Sequence, residues 1–203
     1  MRRAELIRYL ARVPPFPAPD PVREQVRTPV EAACELLEAA AARHDLDGRS
    51  VVDLGSGTGM LAIGAALCGA APVVGVEQDA GAQALARSAG QAIGVDVEWV
   101  RADVAAWHGS ADTVVMNPPF GAQHAHADRP FWDAAFATAR RRVYAFAGGE
   151  SRTFIERRAV ARGAHIDETR SVVWPFPRTF PHHRKARTEL AVDLWVLEMA
   201  PTP

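Results

Sequence analysis

Residues 51–68 leave this chain few ways to fold. Val51-Val52-Asp53-Leu54 is a short apolar run of the kind buried in a parallel sheet. Gly55-Ser56-Gly57-Thr58-Gly59 follows as a turn, and Met60 to Cys68 continues as a helix. A strand, a glycine turn and a helix N-terminus form a nucleotide cradle: glycine lets a ligand approach the backbone, and the unpaired N–H groups of the first helical turn face it. The dinucleotide fingerprint G-x-G-x-x-G would require glycine at position 60, where this chain has Met60. The spacing is instead G-x-G-x-G, with Asp53 inside the strand.

The strands that follow each end in a residue suited to one part of a nucleotide. Val73 to Val76 reads as a second strand with Glu77 at its tip, 22 residues after Gly55, placed to accept both hydroxyls of a ribose. A helix is expected over 80–92. Val95 to Val100 alternates as a third strand, with Asp103 just beyond it. Thr113 to Met116 is a fourth, closed by Asn117-Pro118-Pro119-Phe120. Neither proline can donate to a sheet ladder, and Asn117, preceding proline, is pushed toward extended geometry. The Asn117 side chain and the Pro118 carbonyl then form two fixed acceptors beside the Phe120 ring. An amine on a flat heterocycle can bond both acceptors while its ring stacks on the aromatic face. Helix 131–139, strand 141–146, a helix from Ser151 to about Arg162, and strands at 172–174 and 190–197 complete an expected seven-stranded α/β sheet.

Upstream, Ala4 to Val13 reads as an amphipathic helix, and the prolines at 14, 15, 17, 19 and 21 as an extended arm. Thr28 before Pro29 reads as the N-cap of a helix running to about Arg43, with Val30, Ala33, Cys34, Leu37 and Ala41 on its apolar face. These features divide the chain into an N-terminal helix with a proline-rich arm (1–28) and one domain (29–203), a size ample for one core.

Partner classes are narrowed by charge and composition. No apolar run approaches a membrane span, and the charged start of the chain does not resemble a secretory signal, so a cytoplasmic protein is expected. Cys34 and Cys68 fall in helical patterns and read as small buried hydrophobes. His124 and His126 lack a third ligand at suitable spacing, so no metal is expected. Residues 1–120 carry 10 basic and 15 acidic side chains; residues 121–203 carry 13 and 9. Basic character peaks over 175–187, where Phe180, His182, His183, Arg184, Lys185 and Arg187 interleave rings and cations as a nucleic-acid contact would.

The glycine turn resembles the first motif of S-adenosylmethionine-dependent methyltransferases. Along nearly its whole length the chain is similar to the archaeal and eukaryotic adenine-N6 methyltransferases that modify small-subunit ribosomal RNA. Glu24-Gln25 with Thr28, the run from Asp53 to Gly59, Asp103-Val104, the run from Met116 to Gly121, and the tail from Phe180 through Arg187 into Val192-Asp193-Leu194 carry the likeness. It implies a Rossmann-like class I methyltransferase fold with an antiparallel last strand. It also implies S-adenosylmethionine contacts at Gln25, Thr28, Asp53, Gly55, Gly57, Thr58, Gly59, Met60, Glu77, Asp103 and Val104, with Asp103 accepting the cofactor's adenine amine. Asn117, Pro118, Pro119 and Phe120 would be catalytic. Relatives pair with a small zinc-binding methyltransferase activator, which implies such a partner at the Val95–Arg101 edge strand. At Glu77 the resemblance leads one to expect Asp, although the longer carboxylate can still bind ribose. Methyltransferases acting on guanine N2, DNA adenine or a protein glutamine share the Asn-Pro-Pro-aromatic pattern and remain alternatives, as does a cofactor-binding scaffold without activity.

Overall fold

A computed structural model describes residues 1–121, 124–174 and 192–200. Seven strands form one sheet: β1 (Val51–Leu54), β2 (Val73–Glu77), β3 (Glu98–Arg101), β4 (Ala111–Met116), β5 (Ala139–Gly148), β6 (His165–Val172) and β7 (Val192–Glu198). Their spatial order is β3-β2-β1-β4-β5-β7-β6. β1 to β5 are mutually parallel, and β7 runs antiparallel to both of its neighbours. The seven strands and the antiparallel last strand are as expected. β1 is buried along its whole length, as a parallel strand covered on both faces must be.

Helices cover both faces. α1 (Arg3–Leu10), α2 (Val30–Ala42), α3 (Met60–Leu67) and α4 (Ala80–Ile93) contribute to one core. α5 (Arg129–Thr138) and α6 (Arg152–Ala161) pack into the other, around Trp132, Phe136, Ile155 and Trp195. Leu6, Leu10 and Val13, from the segment before residue 28, lie in the same core as α2 and α3. Among the described residues no helix is long and apolar enough to cross a membrane.

Strand order reverses at β1, which has β2 on one side and β4 on the other. In such sheets the crevice beyond the strand ends at the reversal receives the ligand. The glycine turn leaves β1 there, and Asn117 leaves β4 beside it.

Several local expectations need correction. The sixth strand occupies His165–Val172, not 172–174. It is a polar edge strand without an apolar alternation to reveal it, and Trp174 beyond it is a buried core residue. The edge strand β3 begins at Glu98 rather than Val95, and Trp99 is 9% exposed. A methyl group at Gly75 would meet the Trp99 ring at 2.6 Å and one at Gly59 at 2.8 Å, so the indole fills the space those glycines leave. On α2, Leu36 and Ala40 are buried and Ala41 is exposed, because the helix packs against both α1 and α3. Cys34 is buried, which pushes its thiol up to about 11, whereas Cys68 is partly exposed.

Candidate active site

All three glycines of the turn adopt positive φ: +72° at Gly55, +53° at Gly57 and +94° at Gly59. Other residues are strained in that region, which explains a spacing of every second position. The Gly55 and Ser56 N–H groups donate to the Val76 carbonyl at 2.9 Å each, tying the turn to β2. Asp53 Oδ2 accepts the Ala62 N–H of α3 at 2.9 Å. Its carboxyl is pushed up to about 7, chiefly by burial and further by the Glu77 charge, against the lowering effect of that hydrogen bond. Glu77 closes β2 with its carboxylate held by two backbone donors, Gly57 N–H on Oε2 at 2.9 Å and Asp79 N–H on Oε1 at 2.8 Å. Asp103 accepts the Ala105 N–H at 2.9 Å and so caps the single 3-10 turn Val104–Ala106, while also lining the cavity.

The proline-rich arm closes over this end of the sheet. A methyl group at Gly57 would meet the Phe16 ring at 2.9 Å. Gln25 accepts the Asp20 N–H at 2.9 Å and donates to Asp79 Oδ2 at 3.3 Å, and Arg23 also bonds Asp79. Asp79 caps α4 through the Ala82 N–H; that bond, with Gln25 and Arg23, holds its carboxyl below the usual range. Between arm and strand ends lies a cavity of about 170 Å³. Of the expected cofactor residues, Gln25, Thr28, Asp53, Gly55, Gly57 and Thr58 line it, as do Met60, Glu77, Asp103 and Val104; Gly59 stands behind, against Trp99. Asn117 and Pro119 border the same space.

Asn117 has one half of its amide bonded. Its Nδ2 donates to the Thr28 hydroxyl at 3.0 Å, while its Oδ1 is buried with no partner. Thr28 is therefore not the helix cap expected of it: Pro29 occupies that position, with no side-chain cap, and the Thr28 hydroxyl fixes the orientation of Asn117. Phe120 is half-buried, edge-on to Trp174 at 5.5 Å between centroids and 85° between planes. Trp174 in turn meets Phe146 at 5.2 Å. Glu24 Oε2 accepts the N–H groups of Phe120 at 2.7 Å and Gly121 at 3.1 Å, holding the turn from the arm. Glu24 adopts φ +49°, a conformation that costs a non-glycine residue energy and persists where the surroundings hold it.

Sequence reasoning missed Glu24, Trp174 and Phe16 as parts of the site. Glu24 lay within the Glu24-Gln25 match, but nothing local reveals a bond to a turn 96 residues away. The expected RNA contacts Phe180, His182, His183, Arg184, Lys185 and Arg187 lie outside the described residues. His124 and His126 are exposed. Among the described residues no group of three or more His, Cys, Asp or Glu side chains is placed to hold a metal.

Known proteins match this architecture throughout. Residues 21–162 match the family described as Methyltransferase small domain. The chain is 34% identical to the rRNA N(6)-adenosine-methyltransferase Mettl5 of Drosophila melanogaster, over 98% of this chain and 97% of that protein. It is 30% identical to METTL5 of Danio rerio, named for the same activity, over 95% and 97%. A solved structure from Pyrococcus horikoshii superposes with a TM-score of 0.89 at 35% identity, covering 98% of each chain. A magnesium protoporphyrin IX methyltransferase from Synechocystis, solved with bound SAM, shares the fold at a TM-score of 0.68 and 18% identity, over 84% of this chain and 79% of its own. The chain belongs to the rRNA N(6)-adenosine-methyltransferase family and is built on the methyltransferase small domain.

Proposed function

We propose that this protein transfers a methyl group from S-adenosylmethionine to the N6 amine of an adenosine in RNA, with small-subunit ribosomal RNA as its substrate. One observation carries the reading: a buried Asn117 Oδ1 with no partner, held through its amide by Thr28, beside the cavity lined by Glu77, Asp103 and the glycine turn. A buried acceptor left unpaired costs about 1–3 kcal/mol, so its persistence at a strand end calls for a ligand.

The cavity fits the cofactor by its donor set. Glu77 offers a carboxylate for a ribose, and the N-terminus of α3 offers backbone N–H groups. Asp103 and Val104 suit the adenine, and Gln25 and Thr28 close the space from the arm. When bound, S-adenosylmethionine supplies a methyl group on a sulfonium, electrophilic enough to need alignment more than activation. Asn117 Oδ1 and the Pro118 carbonyl accept the two amine protons, drawing the nitrogen lone pair out of ring conjugation and aiming it. Phe120, braced by Trp174, carries the purine ring. No base is needed before transfer, because the methylated nitrogen loses its proton readily to solvent. A folded RNA must first release its base from the stack, which costs a few kcal/mol and favours unpaired targets. The segment 180–187 would hold the phosphates.

The partner belongs to the same reading. Strand β3 is a sheet edge, where a second chain can add a strand. The family resemblance makes that chain a small zinc-binding methyltransferase activator. With Trp99 turned inward, its attachment would rest on the β3 backbone rather than on an apolar patch.

The test is to incubate the protein with labelled cofactor and ribosomal RNA, then digest to nucleosides. Label in N6-methyladenosine is expected. Label in N2-methylguanosine, or in protein, would replace the reading with one of its rivals.

A further inference from the structure

A second cavity, of about 260 Å³, adjoins the Asn-Pro-Pro-Phe turn. It is lined by Phe120 and Gly121, by residues leading into and opening α5, among them Asp128 and Arg129, and by residues of α6, among them Phe154 and Arg157. The reaction derived above makes no use of it.

Three features of its wall point to a ligand. Asp128 stands just before α5 but does not cap it: its side chain makes no bond to the first turn, where Pro130 lacks an N–H. The residue is 6% exposed, and its Oδ2 is buried with no partner. The Phe154 ring lies under the Arg129 guanidinium at 5.0 Å, a planar surface with a positive charge above it. Among the described residues, neither Arg129 nor Arg157 forms an ion pair.

We propose that this cavity holds the nucleotide adjacent to the methylated adenosine and that Asp128 selects there for a base bearing an amino group. The proposal rests on the methyl-transfer reading for its register: if the target base stacks on Phe120, its neighbour along the strand reaches the cavity that Phe120 also borders. An unpaired base is recognised by an aromatic platform, by cations for its phosphate and by hydrogen bonds to its edge. Phe154 supplies the ring, Arg129 and Arg157 the cations, and Asp128 the edge contact. A carboxylate oxygen can only accept, so it favours the amino groups of adenine, cytosine or guanine. Uracil offers a carbonyl oxygen where cytosine has its amine, and the two oxygens repel.

The experiment uses the full chain and short RNAs carrying the unmethylated target adenosine, with each flanking nucleotide varied through all four bases. Affinity is read by fluorescence anisotropy without cofactor, and methyl transfer by single turnover. At one of the two flanks, uridine should be roughly tenfold worse than the amino-bearing bases in both readouts, the size of one good base contact. Asp128→Asn can donate as well as accept, so it should erase that preference while leaving melting temperature and cofactor affinity unchanged. Phe154→Leu keeps the packing but not the stacking, and should weaken every RNA by roughly tenfold. Arg157→Ala should lower affinity evenly and reduce the salt slope by about one. Equal treatment of all four bases at both flanks by the wild type would overturn the proposal, as would discrimination that survives in Asp128→Asn. RNA bound with these preferences but never methylated would contradict the methyl-transfer reading and leave the cavity's role standing.

Discussion

Asp45 and Asn117 are both polar residues packed near the central strands, and their surroundings treat them in opposite ways. Asp45, fully buried, is saturated: Arg142 at 3.1 Å, Arg141 at 3.3 Å and the Tyr144 hydroxyl at 2.8 Å all reach its carboxylate, and the Thr113 hydroxyl takes its carbonyl at 2.8 Å. Burial and that carboxylate together hold the Tyr144 phenol far above its usual range. At the tip of β4, Asn117 keeps one oxygen buried with no partner, and Asp128 nearby does the same. A closed network specifies and stiffens a core, whereas an open one costs stability until something fills it. Folding itself satisfies the Asp45 carboxylate, although Arg142 Nε beside it is buried without a partner, and in the proposed reading the Asn117 oxygen is left for substrate.

The contrast should break in a graded series. Asn117→Ala removes an acceptor that the free protein does not use, so methyl transfer should fall by about 10²–10³-fold, the cost of losing one preorganised polar contact. Its melting temperature should change little, because loss of the Thr28 bond is offset by removal of a buried unpaired acceptor. Asp45→Ala strands Arg142 and Tyr144 and should cost about 3–5 kcal/mol in urea unfolding, as breaking a buried ion pair does. Transfer per folded molecule should survive. Glu24→Ala releases the Phe120 and Gly121 N–H groups and should slow transfer by about tenfold, with little change in cofactor affinity. Glu24→Gln, which keeps an acceptor, should recover most of that loss; a merely structural Glu24 would show no such rescue.

The smallest effect concerns pH. Asp53 sits at about 7 when folded, against about 3.9 in an unfolded chain, so the folded protein keeps a proton that the unfolded one releases. Stability should therefore fall as pH rises from about 4 to about 7 and level off above. Asp53→Asn, which can still accept the Ala62 N–H, should flatten that slope by about 1 kcal/mol per pH unit at most. Urea titrations at three or four pH values would read the difference.

What could be seen in the sequence follows from how local each constraint is. The glycine spacing was legible because positive φ at 55, 57 and 59 excludes other residues, and the strand-tip residues Glu77 and Asn117 because apolar runs mark where strands end. β6 was not legible: as the edge strand beyond β7 its sequence is polar and half of it exposed, and the neighbouring apolar Val172-Val173-Trp174 drew the assignment instead. The burial of Trp99 was not legible, because nothing in its own strand reports the room at Gly59 and Gly75. Glu24 and Asp128 are ordinary carboxylates in sequence. Their roles come from partners made, or left unmade, across long stretches of chain.

The central claim is that Asn117 Oδ1 receives the target amine, and a double-mutant cycle between protein and RNA tests it most directly. RNA affinity is measured for wild type and Asn117→Ala, with the methylated position carrying either adenosine or a purine nucleoside that lacks the amine. The account predicts that deleting the amine weakens wild type by about 1 kcal/mol and the variant by almost nothing, a coupling of one hydrogen bond. Two losses that simply add would place the amine elsewhere and contradict the account.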